Sequence, residues 1–193
     1  MLQVIYMKKL LIIDNYDSFV YNIYQYVSAP DITVDRAENN KLKDIDDKYD
    51  GYIISPGPGN PENTDDRGNL FEFIDDNRDK KFLGICFGNQ ILGYYLGSKI
   101  EIAKKLMHGQ TDKIIHNGSL LYRGIPEEFI ATRYHSLVIT ENSNIIVDAY
   151  SLTDKSIMGF HSKNNNIFGV QFHPESYYSQ YGELLLKNFA DAL

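Results

Sequence analysis

The segment Phe82-Leu-Gly-Ile-Cys-Phe-Gly-Asn-Gln90 constrains the fold more than any other stretch of the chain. An apolar run ends at a cysteine set between Gly84 and Gly88, and a helical pattern follows over Asn89–Leu96, closed by Gly97. A strand that turns sharply into a helix needs bare backbone on both sides of the bend, which glycine supplies. The G-x-C-x-G spacing is that of a nucleophile elbow with cysteine in the serine position. Such a bend pushes the Cys86 sulfur out at the carboxyl edge of a sheet, where α/β proteins form ligand sites. The positive end of the following helix favours thiolate over thiol. The N–H of Phe87 is placed to meet a developing oxyanion. Taken alone, the segment also fits a small buried cysteine between two packing glycines.

The surrounding pattern supplies the sheet that an elbow requires. Lys9–Asp14, Ile32–Asp35, Tyr52–Ser55 and Phe82–Cys86 read as strands, with helices expected over Asp17–Ser28 and about Asp65–Asn77. Apolar strands alternating with helices imply a mostly parallel open sheet covered on both faces. The second half changes character. Asp112–His116, Phe129–Thr132, Leu137–Thr140, Ile145–Ala149, Ile157–His161 and Ile167–Phe172 read as strands separated by turn signals such as Asn117-Gly118. They are expected as antiparallel additions, the last rejoining the main sheet, before an amphipathic helix over Tyr181–Ala190. One domain over residues 8–193 follows, with residues 1–7 read as an N-terminal extension.

A length of 193 residues suits one such domain. The net charge of -7 and the lack of a basic block argue against nucleic-acid binding. One cysteine excludes a disulfide framework and a multi-cysteine metal site, and fits a reducing compartment. No apolar run approaches bilayer length, so no membrane association and a cytoplasmic location are expected.

A thiol nucleophile needs a base, and the base needs an orienting partner. Gly169-Val-Gln-Phe-His-Pro-Glu-Ser176 offers both, with His173 at the end of a strand and Glu175 two residues on. Glu175 is positioned to hydrogen-bond one ring nitrogen while the other faces Cys86. His108 and His135 have loop-like contexts suited to structural or substrate-proximal roles, and His116 and His161 read as strand residues. Ser55-Pro-Gly-Pro-Gly-Asn-Pro61 follows the third strand and lies at the same sheet edge. It is stiff at its prolines and bare at its glycines, and it lacks the Gly-Lys-Ser/Thr of a phosphate-binding loop.

Together, Ser55-Pro-Gly-Pro-Gly59, Gly84-Ile-Cys-Phe-Gly-Asn-Gln90 and Gly169-Val-Gln-Phe-His-Pro-Glu-Ser176 resemble the class I glutamine amidotransferases in order and spacing, from about Lys8 to the end of the chain. Asp14-Asn-Tyr-Asp-Ser-Phe19, Met107-His-Gly109 and Arg133-Tyr-His-Ser-Leu137 resemble in particular the glutaminase subunits of anthranilate and aminodeoxychorismate synthases. The resemblance implies Cys86 as nucleophile, His173 as base and Glu175 as its orienter, with the Gly57 and Phe87 amides as oxyanion hole. It implies that Gly57, Pro58, Gly59, Gln90, Ser136 and Leu137 hold L-glutamine. It further implies a chorismate-binding synthase partner in a hetero-oligomer, tryptophan biosynthesis as the setting, no cofactor or metal in this chain, and Mg2+ in the partner. The family commonly has histidine where this chain has Asn89, which puts the tuning of the elbow or of the partner contact in question. Two other classes compete: a stand-alone cysteine hydrolase of similar fold, and a regulatory binding subunit with a degenerate site.

Overall fold

The computed structural model describes residues 7–45 and 49–193, so the expected N-terminal extension lies, apart from Met7, outside the described residues. The first strand, β1 (Lys8–Asp14), buries everything from Leu10 onward. An unbroken apolar run has no solvent face, and β1 accordingly sits inside the sheet between β2 (Ile32–Glu38) and β3 (Gly51–Ile54), parallel to both. The strand β4 (Lys81–Ile85) joins β3 in parallel, and β11 (Ile167–Val170) joins β4 in parallel. Beyond β11 the sheet turns antiparallel through β10 (Ile157–Ser162), β9 (Ile145–Ser151), β6 (Gln110–His116) and β7 (Glu128–Arg133). The nine-stranded order is β2-β1-β3-β4-β11-β10-β9-β6-β7. The last apolar run does rejoin the parallel half, as its sequence suggests.

Alternation along β1 divides the core between the two faces of the sheet. Leu10 and Ile12 pack with Val20, Ile23 and Val27 of α1 (Val20–Val27) and with Leu185, Leu186 and Phe189 of α5 (Gly182–Asp191). Leu11 and Ile13 point to the opposite face. There they meet Leu70, Phe73 and Ile74 of α3 (Leu70–Asp76) and Ile91 and Leu92 of α4 (Phe87–Tyr95).

Two expectations need correction. The helix read over about Asp65–Asn77 is two helices, α2 (Thr64–Arg67) and α3, because Gly68 between them has φ +56° and cannot continue an α-helical ladder. A strand without a counterpart in the sequence reading, β5 (Ile100–Ile102), pairs antiparallel with β8 (Leu137–Ile139) as a separate two-stranded sheet. Gly93 of α4 lets this small sheet approach, since a Cβ there would stand 2.7 Å from Ile139 Cγ2. The approach carries Leu137 over the helix that follows Cys86. Among the described residues no helix is long and apolar enough to cross a membrane.

Candidate active site

Cys86 occupies the bend between β4 and α4 with φ +51° and ψ −99°, a backbone conformation that costs a non-glycine residue of order 1–3 kcal/mol. Its surroundings hold it there. A Cβ on Gly84 would lie 2.2 Å from Gly88 O, and one on Gly88 would lie 2.2 Å from Ile54 O, so both glycines are contact points between strand and helix. Cys86 N–H donates to Val170 O at 2.8 Å, tying the elbow to the strand that leads to His173.

The register of β11 against β4 pairs Val170 with Ile85, so the residues after Val170 run past the elbow. His173 N–H donates to Thr132 O at 2.9 Å, and Ser179 Oγ donates to His173 O at 2.6 Å. Both contacts fix the backbone beneath the imidazole. The ring itself is set by Glu175, whose Oε1 accepts from Nδ1 at 2.6 Å. Cys86, His173 and Glu175 are buried to 7%, 4% and 1% residual exposure, so the three form a compact, nearly dry cluster. Burial disfavours the imidazolium, yet the proximity of Cys86, followed by the hydrogen bond and charge of Glu175, outweighs it and holds the His173 pKa well above the usual histidine range, while Nε2 has no hydrogen-bond partner among the described residues. The arrangement therefore favours the protonated form of the histidine. Asp17 lies close enough to feel the cluster: burial first, and then the Glu175 carboxylate, push its pKa up against the Phe19 N–H that lowers it.

A small cavity of about 160 Å³ opens over the sulfur. Its lining includes Gly57, Pro58 and Gly59 on one side and Gln90, Ser136 and Leu137 on another, with Cys86 and Phe87 between. All six residues expected to hold a ligand therefore meet at one place, together with the nucleophile candidate and the Phe87 amide. His173 and Glu175 are not part of the lining; His173 lies beside Cys86 within the protein, with Glu175 behind it. The amide nitrogen of Gln90 is committed to Leu137 O at 3.0 Å and to Gln171 Oε1 at 3.3 Å, leaving its oxygen as the atom for a ligand.

The walls rest on residues that the sequence reading did not assign. Asn15 N–H donates to Ser55 Oγ and Asn15 Nδ2 to Ser55 O, each at 2.9 Å, and Asn39 Nδ2 donates to Asn15 Oδ1. This clamp fixes the start of the proline-glycine loop, and Gly57 passes so near that a Cβ would stand 2.5 Å from Asn15 O. Tyr134 lines the cavity and crosses the His173 ring at 78°, with 4.9 Å between centroids. Its place between Arg133 and His135 is a weak signal, and no periodicity marks it.

His135 is a support rather than a proton carrier. Its Nδ1–H donates to Leu137 O at 2.9 Å while Nε2 accepts from Arg133 Nε at 3.0 Å, which fixes the neutral tautomer. Burial, with the adjacent Arg133 cation, lowers its pKa to about 4. Arg133 is fully buried and answered by Asp112 and Asp154. Burial opposes both carboxylates, but hydrogen bonds from Ser151, Thr153 and Arg133 to Asp112, and from Arg133 and Ser156 to Asp154, hold them below the usual range. His108 crosses the Tyr134 ring at 87°, with 6.0 Å between centroids. His116 is fixed between Pro126 O and the Gly118 N–H, and His161 pairs with Asp148, so both keep the structural roles their strand positions suggest. Among the described residues no group of three or more His, Cys, Asp or Glu side chains is arranged to hold a metal ion.

Comparisons with known proteins identify the family. Residues 11–193 match the sequence model of the class I glutamine amidotransferases. Anthranilate synthase component 2 of Saccharolobus solfataricus is 47% identical, over 93% of this chain and 96% of its own. Aminodeoxychorismate synthase component 2 of Escherichia coli is 41% identical, over 93% and 98%. The bifunctional protein TrpGD of Thermotoga maritima is 42% identical over 96% of this chain, which spans only 32% of that longer protein. The crystal structure of a candidate GMP synthase component from Thermoplasma acidophilum superposes with a TM-score of 0.86 at 26% identity, covering 96% of this chain and 93% of that one. With an elbow cysteine, a buried histidine-glutamate pair and a match over nearly its whole length, this chain belongs to the class I glutamine amidotransferase family.

Proposed function

We propose that this chain is the glutaminase subunit of an anthranilate synthase, using Cys86, His173 and Glu175 to release ammonia from L-glutamine. The observation that carries the reading is the buried cluster in which Glu175 fixes Nδ1 of His173 and Cys86 lies beside the imidazole. The Cys86 thiolate attacks the side-chain amide carbon of a glutamine seated in the cavity. The resulting oxyanion is received by the Gly57 and Phe87 N–H groups, which need no reorganisation at that moment. His173 then gives its Nε2 proton to the leaving nitrogen as the C–N bond breaks, leaving ammonia and a glutamyl thioester. Water attacks the thioester, His173 takes its proton, and the C–S bond breaks to restore the thiolate and free glutamate. No step of this hydrolysis is assigned to a metal ion; Mg2+ belongs with the synthase partner in this reading.

Ammonia protonates in bulk water, so its consumer must dock where it emerges. A chorismate-binding synthase subunit in a hetero-oligomer is the expected partner, and the components 2 among the relatives support it. Tyr16, Phe19 and Tyr177 stand exposed on the loops after β1 and after His173, an apolar rim suited to such docking. A cytoplasmic location follows from the same role. The second reading, a subunit of aminodeoxychorismate synthase, is favoured by the Escherichia coli relative. Purifying the chain with whatever binds it and supplying glutamine and chorismate decides between them. Anthranilate with pyruvate is expected; aminodeoxychorismate would move the chain to the second reading, and neither product would reject both.

A further inference from the structure

The elbow sulfur has a neighbour outside the triad. Gln171 Nε2 lies 3.6 Å from Cys86 Sγ, in hydrogen-bond contact, and the Gln171 side chain is fully buried. Which end of that amide faces the sulfur is decided by a chain of contacts. Leu137 O can only accept, so Gln90 presents its nitrogen there at 3.0 Å. The same nitrogen reaches Gln171 Oε1 at 3.3 Å, and Asn89 Nδ2 reaches that oxygen at 3.1 Å. With its oxygen accepting from two donors, Gln171 turns its N–H toward the sulfur.

Asn89 fits beside Gln171 only because residue 169 is glycine, where a Cβ would stand 2.5 Å from Asn89 Oδ1 and 2.3 Å from the Phe160 ring. Asn89 is wholly buried at the start of α4, and its Oδ1 has no hydrogen-bond partner among the described residues. An unpartnered buried carbonyl is tolerated here while the other end of the same amide is held on Gln171.

We infer that Gln171 donates a hydrogen bond to the Cys86 thiolate and keeps the sulfur charged and aimed at the cavity, with Asn89 and Gln90 as positioning residues that orient Gln171. This gives Asn89, the departure from the family's usual histidine, a definite role, since it needs only to donate one N–H to Gln171 Oε1. The inference rests on Cys86 being the nucleophile. A donor removed from a charged acceptor costs it selective stabilisation, so the thiolate forms less readily without Gln171.

The test uses the full chain, whose single cysteine makes alkylation by iodoacetamide unambiguous. The rate is followed across pH for the unsubstituted protein and for Gln171→Met. The acid limb of the Gln171→Met profile is expected about one pH unit higher, roughly a tenfold slower rate on that limb, with both profiles meeting at the alkaline plateau. In the unsubstituted protein the Gln171 side-chain amide resonance is expected to move over the same pH range as alkylation, a measurement that stands if the variant fails to fold. Superimposable acid limbs in folded Gln171→Met, or a Gln171 amide resonance indifferent to thiolate formation, would overturn the inference. Glutaminase activity that survives complete alkylation of Cys86 would instead defeat the nucleophile reading, whereas activity lost with an unmoved limb defeats only the role of Gln171.

Discussion

Glu175 Oε1 accepts from His173 Nδ1 at 2.6 Å, and both side chains come from one short turn that begins at the isolated bridge between His173 and Thr132. The pair is almost closed to water, so the carboxylate orients the ring and compensates its positive charge without solvent screening.

Glu175→Gln keeps the shape and removes the charge. Its amide can present N–H to Nδ1, which drives the ring proton to Nε2 and spoils the base. The glutaminase kcat is expected to fall about 10²- to 10⁴-fold, as for other orienting carboxylates made neutral. Steady-state assay with the partner present checks it, and a kcat within about threefold of the parent would contradict the orienting role.

The elbow glycines carry a structural prediction. In Gly88→Ala the new Cβ would meet the Ile54 carbonyl, a backbone atom held in the sheet, at 2.2 Å. Relief requires strand and helix to separate. A loss of about 2–4 kcal/mol in unfolding free energy is expected by urea denaturation, together with loss of glutaminase activity. A variant as stable and active as the parent would show that the close approach is dispensable.

His135 gives a pH signature. Its folded pKa of about 4 lies below the usual 6.5, so the unfolded chain binds the extra proton between these values. Stability contributed by neutral His135 is complete above about pH 6.5 and drains as pH falls toward about 4, with a slope approaching ~1.4 kcal/mol per pH unit. His173 is displaced in the opposite direction and stays protonated in both states over most of this window. His135→Asn is expected to flatten the curve of unfolding free energy against pH between about 4 and 6.5. An unchanged slope would assign the acid sensitivity elsewhere.

Much of this was legible in the residues. The parallel strands announce themselves as unbroken apolar runs, and Gly84-Ile-Cys-Phe-Gly88 fixes the bend because no other residue type allows so close a strand–helix contact. His173 and Glu175 could be paired from their spacing once the elbow at Cys86 was in view. The break at Gly68 was not legible, since a glycine within a helical pattern does not reveal its φ. Neither was β5: three residues with two exposed side chains carry almost no alternation. Gln171 was hidden for a different reason. It lies in the apolar run that reads as strand, and its role depends on Asn89 and Gln90, more than eighty positions earlier.

The most direct measurement compares two ammonia sources with Cys86→Ala and the native synthase partner. Glutamine-dependent product formation is expected to fall by about 10³-fold or more, while synthesis from free ammonium chloride proceeds at the parent rate, because the acceptor reaction needs no thiol from this chain. Glutamine-dependent turnover at the parent rate would contradict the assignment of Cys86 as nucleophile.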